Sequence, residues 1–350
     1  MKKTDTQMKK IYRSKVPFRI SLGGGGTDMV SYSKNHTGAV INVTLHLFTH
    51  TSLQLRDDME VTFEWVNKDE IEKHSFSNEL DCSYGLKLFK ATHNHIFKRF
   101  KLEPIGYDIV TYQDVPTGSG LGTSSTLIVS LIGVYQELFN LPLGEYDIAD
   151  MAVQIERNEL KENGGKQDQY AAAFGGWNYM EFKGEDVIVN PLRIKDKIQN
   201  ELANNIVLYY TNSSRKSTDI LEEQIKRIEN NSKTSLLSLH ALVEQAKMIK
   251  DCLIKGNIDG LGEILDYGFK QKSQLASNII NPKITKIYET AIQAGATGGK
   301  ISGAGGGGFM IFYCPNNTKY KVINELDKLN IGYYQPFTWT QFGLRTWQIG

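Results

Sequence analysis

The feature that most constrains this chain is a glycine-punctuated turn, Gln113 to Thr126 (Q-D-V-P-T-G-S-G-L-G-T-S-S-T), set between a strand pattern and a helix pattern. Before it, Tyr107 to Val115 places Ile109 and Val110 among polar residues, as in a half-buried strand. After it, Leu127, Leu131, Val134 and Leu138 recur at the three- and four-residue steps of a helix face. Gly118, Gly120 and Gly122 therefore fall on a strand-to-helix turn, and Thr123, Ser124 and Ser125 open the helix. Bare backbone lets a ligand approach closely, and a helix start offers unpaired N–H groups at the positive end of its dipole. That pairing makes an anion site, most often a phosphate site. An ordinary glycine turn capped by Thr or Ser would read the same over this stretch alone.

Two common phosphate loops do not fit. A G-x-x-x-x-G-K-[ST] loop requires a lysine that is missing here. The dinucleotide fingerprint requires Gly or Ala where Thr123 stands. Gly118 to Ser125 instead resembles the second motif of the GHMP small-molecule kinases, P-x-G-x-G-L-G-S-S-A.

Two further glycine clusters bear on that resemblance. Val16, Phe18, Ile20 and Leu22 alternate as a strand that runs into Gly23, Gly24, Gly25, Gly26, Thr27 and Asp28. Consecutive glycines are entropically expensive, so something there needs bare backbone; a flexible linker is the alternative. Pro17 to Asp28 resembles the first GHMP motif. The form R-I-S-L-G-G-G-G-T-D, with G-A-V-I-N at 38–42, is closest to the D-glycero-D-manno-heptose 7-phosphate kinase branch and its sugar-kinase relatives. Gly23 departs from the Ala expected there, which loosens the turn and leaves the chemistry untouched. Near the C-terminus, Lys300 to Met310 (K-I-S-G-A-G-G-G-G-F-M) resembles the third motif, a Gly-rich turn feeding a strand.

Between motifs two and three lie candidate acids. Glu145 to Glu162 reads as a helix with Ile148, Ala152 and Ile155 on one face, Glu156 at the edge of that face and Glu159 nearer its middle. An inward carboxylate needs a cation or donor, and Arg157 or Lys161 is near in sequence; a surface ion pair is the alternative. Asp168, after Gly164 and Gly165, would serve equally as a helix-start residue. The resemblance favours a metal-binding Glu156 followed about a dozen residues later by an active-site Asp168.

Composition limits the function classes. Among 350 residues, 40 Lys+Arg against 39 Asp+Glu leave a formal charge of +1, which gives no whole-chain bias toward nucleic acid or an anionic membrane. Cys82, Cys252 and Cys314 are odd in number and far apart, a pattern of neither a disulfide framework nor a zinc site, so a cytoplasmic location is expected. The basic N-terminus lacks an apolar h-region, so no secretory signal is expected. Strands are predicted over 40–55 and 59–65, a polar connecting loop over 67–82, a helix over 86–100, a strand over 206–210, and helices over 217–255 (broken at 230–233), 258–274 and 282–294. His93 and His95, two apart, do not share a helix face, so both read as structural or solvated.

The resemblance implies a two-domain α+β GHMP kinase fold. It would have a ribosomal protein S5 domain 2-like N-terminal, ATP-binding domain over 1–198 and a ferredoxin-like domain over 199–350, with the site in the cleft between them. It also implies an ATP- and Mg²⁺-dependent sugar kinase. Gly118, Ser119, Gly120, Leu121, Gly122, Thr123 and Ser124 would cradle the ATP phosphates, and Ser124 and Glu156 would hold Mg²⁺. Asp168 would orient the acceptor hydroxyl, with Arg19 keeping it ionised. Gly24, Gly25, Gly26, Thr27 and Asp28, with Gly305 and Gly306, would bind the sugar. The expected acceptor is the anomeric hydroxyl of D-glycero-D-manno-heptose 7-phosphate, giving the 1,7-bisphosphate for nucleotide-heptose synthesis. Its remote phosphate needs a second cationic pocket, for which the loop T-N-S-S-R-K-S with Arg215 and Lys216 is preferred over Arg13 and Lys15. An L-fucokinase-like or galactokinase-like enzyme, a non-catalytic sugar and ATP sensor, and a diphosphomevalonate decarboxylase are the alternatives. No nucleic-acid or membrane partner is expected, and a homodimer is left open.

Overall fold

The computed structural model of the chain describes residues 10–213, 217–230 and 232–350. Its first sheet is built on β1 (Ile11–Gly23) and β2 (Gly38–Leu55), which pair antiparallel over most of their length. The helical turn α1 (Val30–Ser33) lies in the connection between them. Further along the chain come β3 (Glu60–Trp65), β4 (Glu70–Ser75), α2 (Lys87–Phe100), β5 (Tyr107–Gln113) and α3 (Thr123–Phe139). These are followed by α4 (Glu145–Val153), α5 (Gln167–Phe174), β6 (Trp177–Lys183) and β7 (Asp186–Pro191). The C-terminal half contributes α6 (Asp196–Asn205), β8 (Ile206–Tyr210), α7 (Ser217–Glu229), α8 (Lys233–Lys255), α9 (Leu261–Ser273) and α10 (Pro282–Ala294). It ends with β9 (Gly298–Ile301), β10 (Phe309–Tyr313), α11 (Lys319–Asp327), β11 (Tyr333–Gln335) and β12 (Arg345–Ile349).

The first sheet has eight strands in the order β12-β1-β2-β5-β3-β4, with β6 and β7 attached through β2. The long β2 changes partner along its length: its first residues pair with β6 and its last with β5. The second sheet runs β11-β8-β10-β9, antiparallel throughout, in a β-α-β-β-α-β chain order that gives the ferredoxin-like arrangement. Val40 packs into a core with α2–α5, whereas its neighbour Ile41 packs into one with α8, α9 and the second sheet. Successive side chains of β2 thus enter different cores, as a strand's two-residue period requires. Sandwiching is also why the alternation of β1 gives way to continuous burial from Val16 onward.

One expected element needs correction. The polar stretch 67–82 is not all loop: β4 pairs with β3 as an edge strand, mostly solvated, and so carries no hydrophobic period. A division at 198 falls inside α6. The C-terminal strand β12 also pairs with β1, so the first sheet takes strands from both ends of the chain. The break predicted in 217–255 separates α7 from α8, where the Ser232 side chain caps α8 by accepting from the Ser235 N–H. Pro282 occupies the first turn of α10 behind the Asn281 cap.

Candidate active site

A cavity of about 480 Å³ opens between the sheets, lined by elements of both halves. Its floor is the turn before α3. Gly118, Gly120 and Gly122 all have φ between 76° and 80°, in the left-handed region. At Gly122 the requirement is also steric: a Cβ would stand 2.8 Å from Oδ2 of Asp168. Only glycine lets that carboxylate lie against the start of α3. Gly122 caps α3 without a side-chain hydrogen bond, the first turn carries no acidic residue, and Thr123 and Ser124 line the cavity. The amides there are available to an anion.

The third Gly-rich turn closes over the first. Phe309 N–H donates to Ser119 O at 3.0 Å, and Ser302 Oγ donates to Gly120 O at 2.9 Å. Arg19 Nη1 reaches the same Gly120 carbonyl at 2.8 Å, while its Nε and Nη2 contact Asp168 Oδ1 at 2.7 and 2.5 Å. Arg19 is buried, and the Asp168 side chain keeps 19% of its surface exposed at the cavity wall. The guanidinium is thus fixed at both ends and holds one carboxylate oxygen.

Glu156 is 1% exposed. Its Oε1 accepts from Ser124 Oγ and its Oε2 from both Ser125 Oγ and Gln169 Nε2, each at 2.6 Å, and Arg157 Nη1 lies 3.4 Å from Oε1. Glu159 instead faces outward and pairs with His95 at 2.7 Å. A regular helical wheel gives the opposite order. The reason is a π turn over Gln154–Glu159, marked by Leu160 N–H donating to Ile155 O, which rotates Glu156 inward.

The first Gly-rich turn splits in two. Gly25, Gly26 and Asp28 line the cavity. The Asp28 carboxylate accepts Gly26 N–H at 3.0 Å and Gln167 N–H at 3.2 Å, which ties it to the start of α5. Gly24 and Thr27 do not reach the cavity. A Cβ on Gly24 would meet Ala39 O, and Thr27 Oγ1 donates to Gly24 O and Ala39 O, so both residues build the turn. Ser119 and Leu121 likewise turn into the protein, and Gly306 N–H is taken by Ile279 O while Gly305 lines the cavity. Arg215 and Lys216 lie outside the described residues. Arg13 and Lys15 lie away from the cavity, Arg13 on Ser52 and Lys15 over the Phe48 ring.

Sequence reading missed two lysines. Lys300 Nζ donates to Ser21 O at 2.6 Å, and burial holds its pKa well below the usual lysine range. Lys272 lines the cavity from α9; burial draws it down to about 8, an effect that Asp28 and Asp168 partly offset and Arg19 reinforces. Its signal in the sequence was its place on the buried stripe Leu261, Leu265, Phe269, where a lysine is out of pattern. Trp65, Lys68, Leu86 and Phe89 give the cavity an aromatic and apolar wall, with Lys68 Nζ 4.2 Å from the Trp65 ring centre. His93 is a core residue, joined through Nδ1 to Tyr107 and through Nε2 to Ser77 O.

Among the described residues no cluster of His, Cys, Asp and Glu could hold a metal by protein ligands alone. The donors beside the start of α3 are hard oxygens, from Ser124 and Glu156. They suit a Mg²⁺ that draws most of its ligands from phosphates and water. Among those residues, too, no helix is long and apolar enough to cross a membrane.

A glycine-cradled helix start, a buried glutamate beside a helix-start hydroxyl and an arginine-held aspartate face one cavity, the kind of positioning groups that phosphoryl transfer calls for. Family comparison agrees: the N-terminal domain model of the GHMP kinases matches residues 87–176, and their C-terminal domain model matches 249–332. The D-glycero-alpha-D-manno-heptose 7-phosphate kinase of Campylobacter jejuni is 41% identical over 97% of this chain and 100% of its own length. The crystal structure of a D-glycero-D-manno-heptose 1-phosphate kinase from Bacteroides thetaiotaomicron superposes with a TM-score of 0.83 at 34% identity, covering 97% of this chain and 99% of that one. The galactose complex of Lactococcus lactis galactokinase shares the fold, with a TM-score of 0.77 at 20% identity over 97% of this chain and 96% of that one. The chain belongs to the GHMP kinase family.

Proposed function

We propose that the protein is an ATP-dependent sugar kinase that phosphorylates the anomeric hydroxyl of D-glycero-D-manno-heptose 7-phosphate, giving the 1,7-bisphosphate. The observation that carries this reading is the placement of Asp168, fixed by Arg19 against Gly122 at the start of α3. An acceptor hydroxyl bound to Asp168 then faces whatever phosphate the α3 amides hold. The names of the two closely similar relatives share a heptose monophosphate acceptor and differ over which end already carries the phosphate.

Phosphoryl transfer asks the protein for positioning and charge more than for covalent chemistry. Amides of Gly118, Gly120, Gly122, Thr123 and Ser124, which line the cavity, hold the nucleotide phosphates with the α3 dipole behind them. The wall of Trp65, Leu86 and Phe89 takes the flat nucleobase. Ser124 and Glu156 hold Mg²⁺, which neutralises phosphate charge when bound. Asp168 accepts a hydrogen bond from the acceptor O–H and takes its proton as the oxygen bonds to phosphorus and ADP departs. Arg19 grips the Asp168 carboxylate through Oδ1 and so fixes where the acceptor hydroxyl meets it. Asp28 and the Gly25–Gly26 backbone meet sugar hydroxyls.

The test is ADP release by the purified protein with Mg·ATP and, separately, heptose 7-phosphate, unphosphorylated heptose, L-fucose, D-galactose and D-mannose. Turnover on heptose 7-phosphate at least tenfold above the others in kcat/KM is expected. Equal or better turnover on an unphosphorylated sugar would replace this acceptor with the plain sugar.

A further inference from the structure

The cavity contains a cation with no hydrogen-bonded or ion-paired partner among the described residues. Lys272, in the last turn of α9, is 5% exposed and lines the cavity. No hydrogen bond or ion pair joins its ammonium to another described residue. The carboxylates nearby are engaged elsewhere: Asp168 with Arg19, and Asp28 with the N–H groups of Gly26 and Gln167. The other cavity lysine, Lys300, is bonded to Ser21 O. The ammonium opens on the cavity without a paired anion, so an anion bound there would meet a charge that burial has already partly desolvated.

A second group beside it has the same need. Gln224 of α7 is 2% exposed and lines the cavity, and its Nε2 is buried with no partner. Both side chains converge on the turn of the first glycine cluster. A Cβ on Gly25 would stand 3.5 Å from Lys272 Nζ, and one on Gly26 would stand 3.9 Å from Gln224 Oε1. Bare backbone there leaves space between an unpaired cation and an unpaired amide donor. A hydroxyl would satisfy the amide, but an oxyanion satisfies both.

We propose that Lys272 and Gln224 hold the phosphate monoester that the acceptor sugar already carries, and so select a phosphorylated sugar over a plain one. This rests on the reading of the acceptor as a heptose monophosphate. The amides at the start of α3 remain for the nucleotide, so the two phosphate-bearing ligands have separate sites. The groups facing Lys272 are Asp28 and Asp168, which are negative, and Arg19 and Lys300. Lys272 must be protonated to bind a phosphate dianion, and it loses that proton as pH rises through about 8. In the free enzyme, kcat/KM for the phosphorylated sugar therefore falls across that range.

The test is calorimetric titration of the protein, saturated with Mg·AMP-PNP, with heptose 7-phosphate and with unphosphorylated heptose. Wild type is expected to bind the phosphorylated sugar about 100-fold more tightly, the span of charged hydrogen bonds to a phosphate. Lys272→Met should reduce that preference to within about tenfold, Lys272→Arg should retain most of it, and Gln224→Leu should fall between. None should alter AMP-PNP affinity. Lys272→Arg should also move the alkaline fall in kcat/KM to higher pH, which a lysine of purely structural role would not do. A Lys272→Met protein that keeps the wild-type preference overturns the inference and leaves the heptose-phosphate reading standing. A wild type with no preference for the phosphorylated sugar overturns the reading itself, and the inference with it.

Discussion

Gly122→Ala isolates the contact on which the site depends. Gly122 has φ +80°, and the new Cβ would stand 2.8, 2.9 and 3.1 Å from Oδ2, Cγ and Cβ of Asp168. A left-handed conformation costs a non-glycine residue about 1–2 kcal/mol. The clash adds a second effect, because Cβ-to-atom distances under 3 Å require Asp168 to shift by several tenths of an ångström. Asp168 is anchored by Arg19, which in turn is anchored on Gly120 O, so the carboxylate cannot retreat without breaking that chain. A displacement approaching 1 Å at a reacting group lowers turnover by about 10². Gly184→Ala is the control: its φ is +58° with nothing within 4 Å of the new Cβ. Both variants should lose about 1–2 kcal/mol by urea denaturation, but only Gly122→Ala should lose kcat, measured by coupled ADP release at saturating ATP. Equal kcat in the two variants would refute the claim that Gly122 sets the position of Asp168.

Asp168→Asn should lower kcat by about 10²–10⁴ with KM for ATP nearly unchanged, because the nucleotide amides lie elsewhere; full turnover in a folded variant would remove Asp168 from the chemistry. Glu156→Gln should raise the Mg²⁺ concentration needed for half-maximal rate, since an amide is a poor ligand for a hard dication, whereas Glu159→Gln, out on the surface with His95, should not; a metal titration of both decides it. His93 supplies a pH prediction. Burial lowers its pKa to about 4, so it folds neutral, and the unfolded chain binds an extra proton between pH 4 and about 6.5. Its contribution is full above about 6.5 and declines as pH falls toward 4, by up to about 1.4 kcal/mol per pH unit. Urea titrations of wild type and His93→Gln should therefore converge in stability as pH drops through that window, and parallel curves would sink the assignment.

What the sequence revealed and what it concealed have separable physical causes. The turns at Gly118 to Gly122 and Gly303 to Gly308 were legible because close backbone packing and positive φ leave glycine as the one workable residue. Phe309 N–H on Ser119 O shows how near the two turns come. The strand β1 was legible from the alternation of Val16, Phe18, Ile20 and Leu22, and β2 from its apolar and β-branched content. β4 was not, because the face it turns inward carries Glu72 and His74, polar residues paired with each other and with Lys90, so its alternation is not hydrophobic. The pairing of β12 with β1 joins residues more than three hundred positions apart, and local pattern holds no record of it.

Within the site, motif spacing pointed to Glu156 while helical periodicity pointed to Glu159. The π turn decided between them, and a regular helical wheel does not contain it. Gly24 and Thr27 stand within the same motif as Gly25, Gly26 and Asp28, yet Thr27 bonds to β2 and Gly24 packs against it. A glycine cluster shows that bare backbone is needed without saying which side faces the ligand. Lys272 was hidden for another reason: a lysine on an apolar stripe also suits a stem that snorkels to solvent. Only the cavity shows that its ammonium ends inside.

The central claim is phosphoryl transfer to the anomeric oxygen of a heptose that already carries a phosphate at its other end. Phosphorus NMR of wild-type protein turning over heptose 7-phosphate with Mg·ATP tests it directly. The account predicts ADP together with a new sugar-phosphate resonance coupled to the anomeric proton, while the original phosphate signal persists in equal amount. ATP hydrolysed to inorganic phosphate with the sugar unchanged, or a new phosphate coupled to any proton other than the anomeric one, would contradict it.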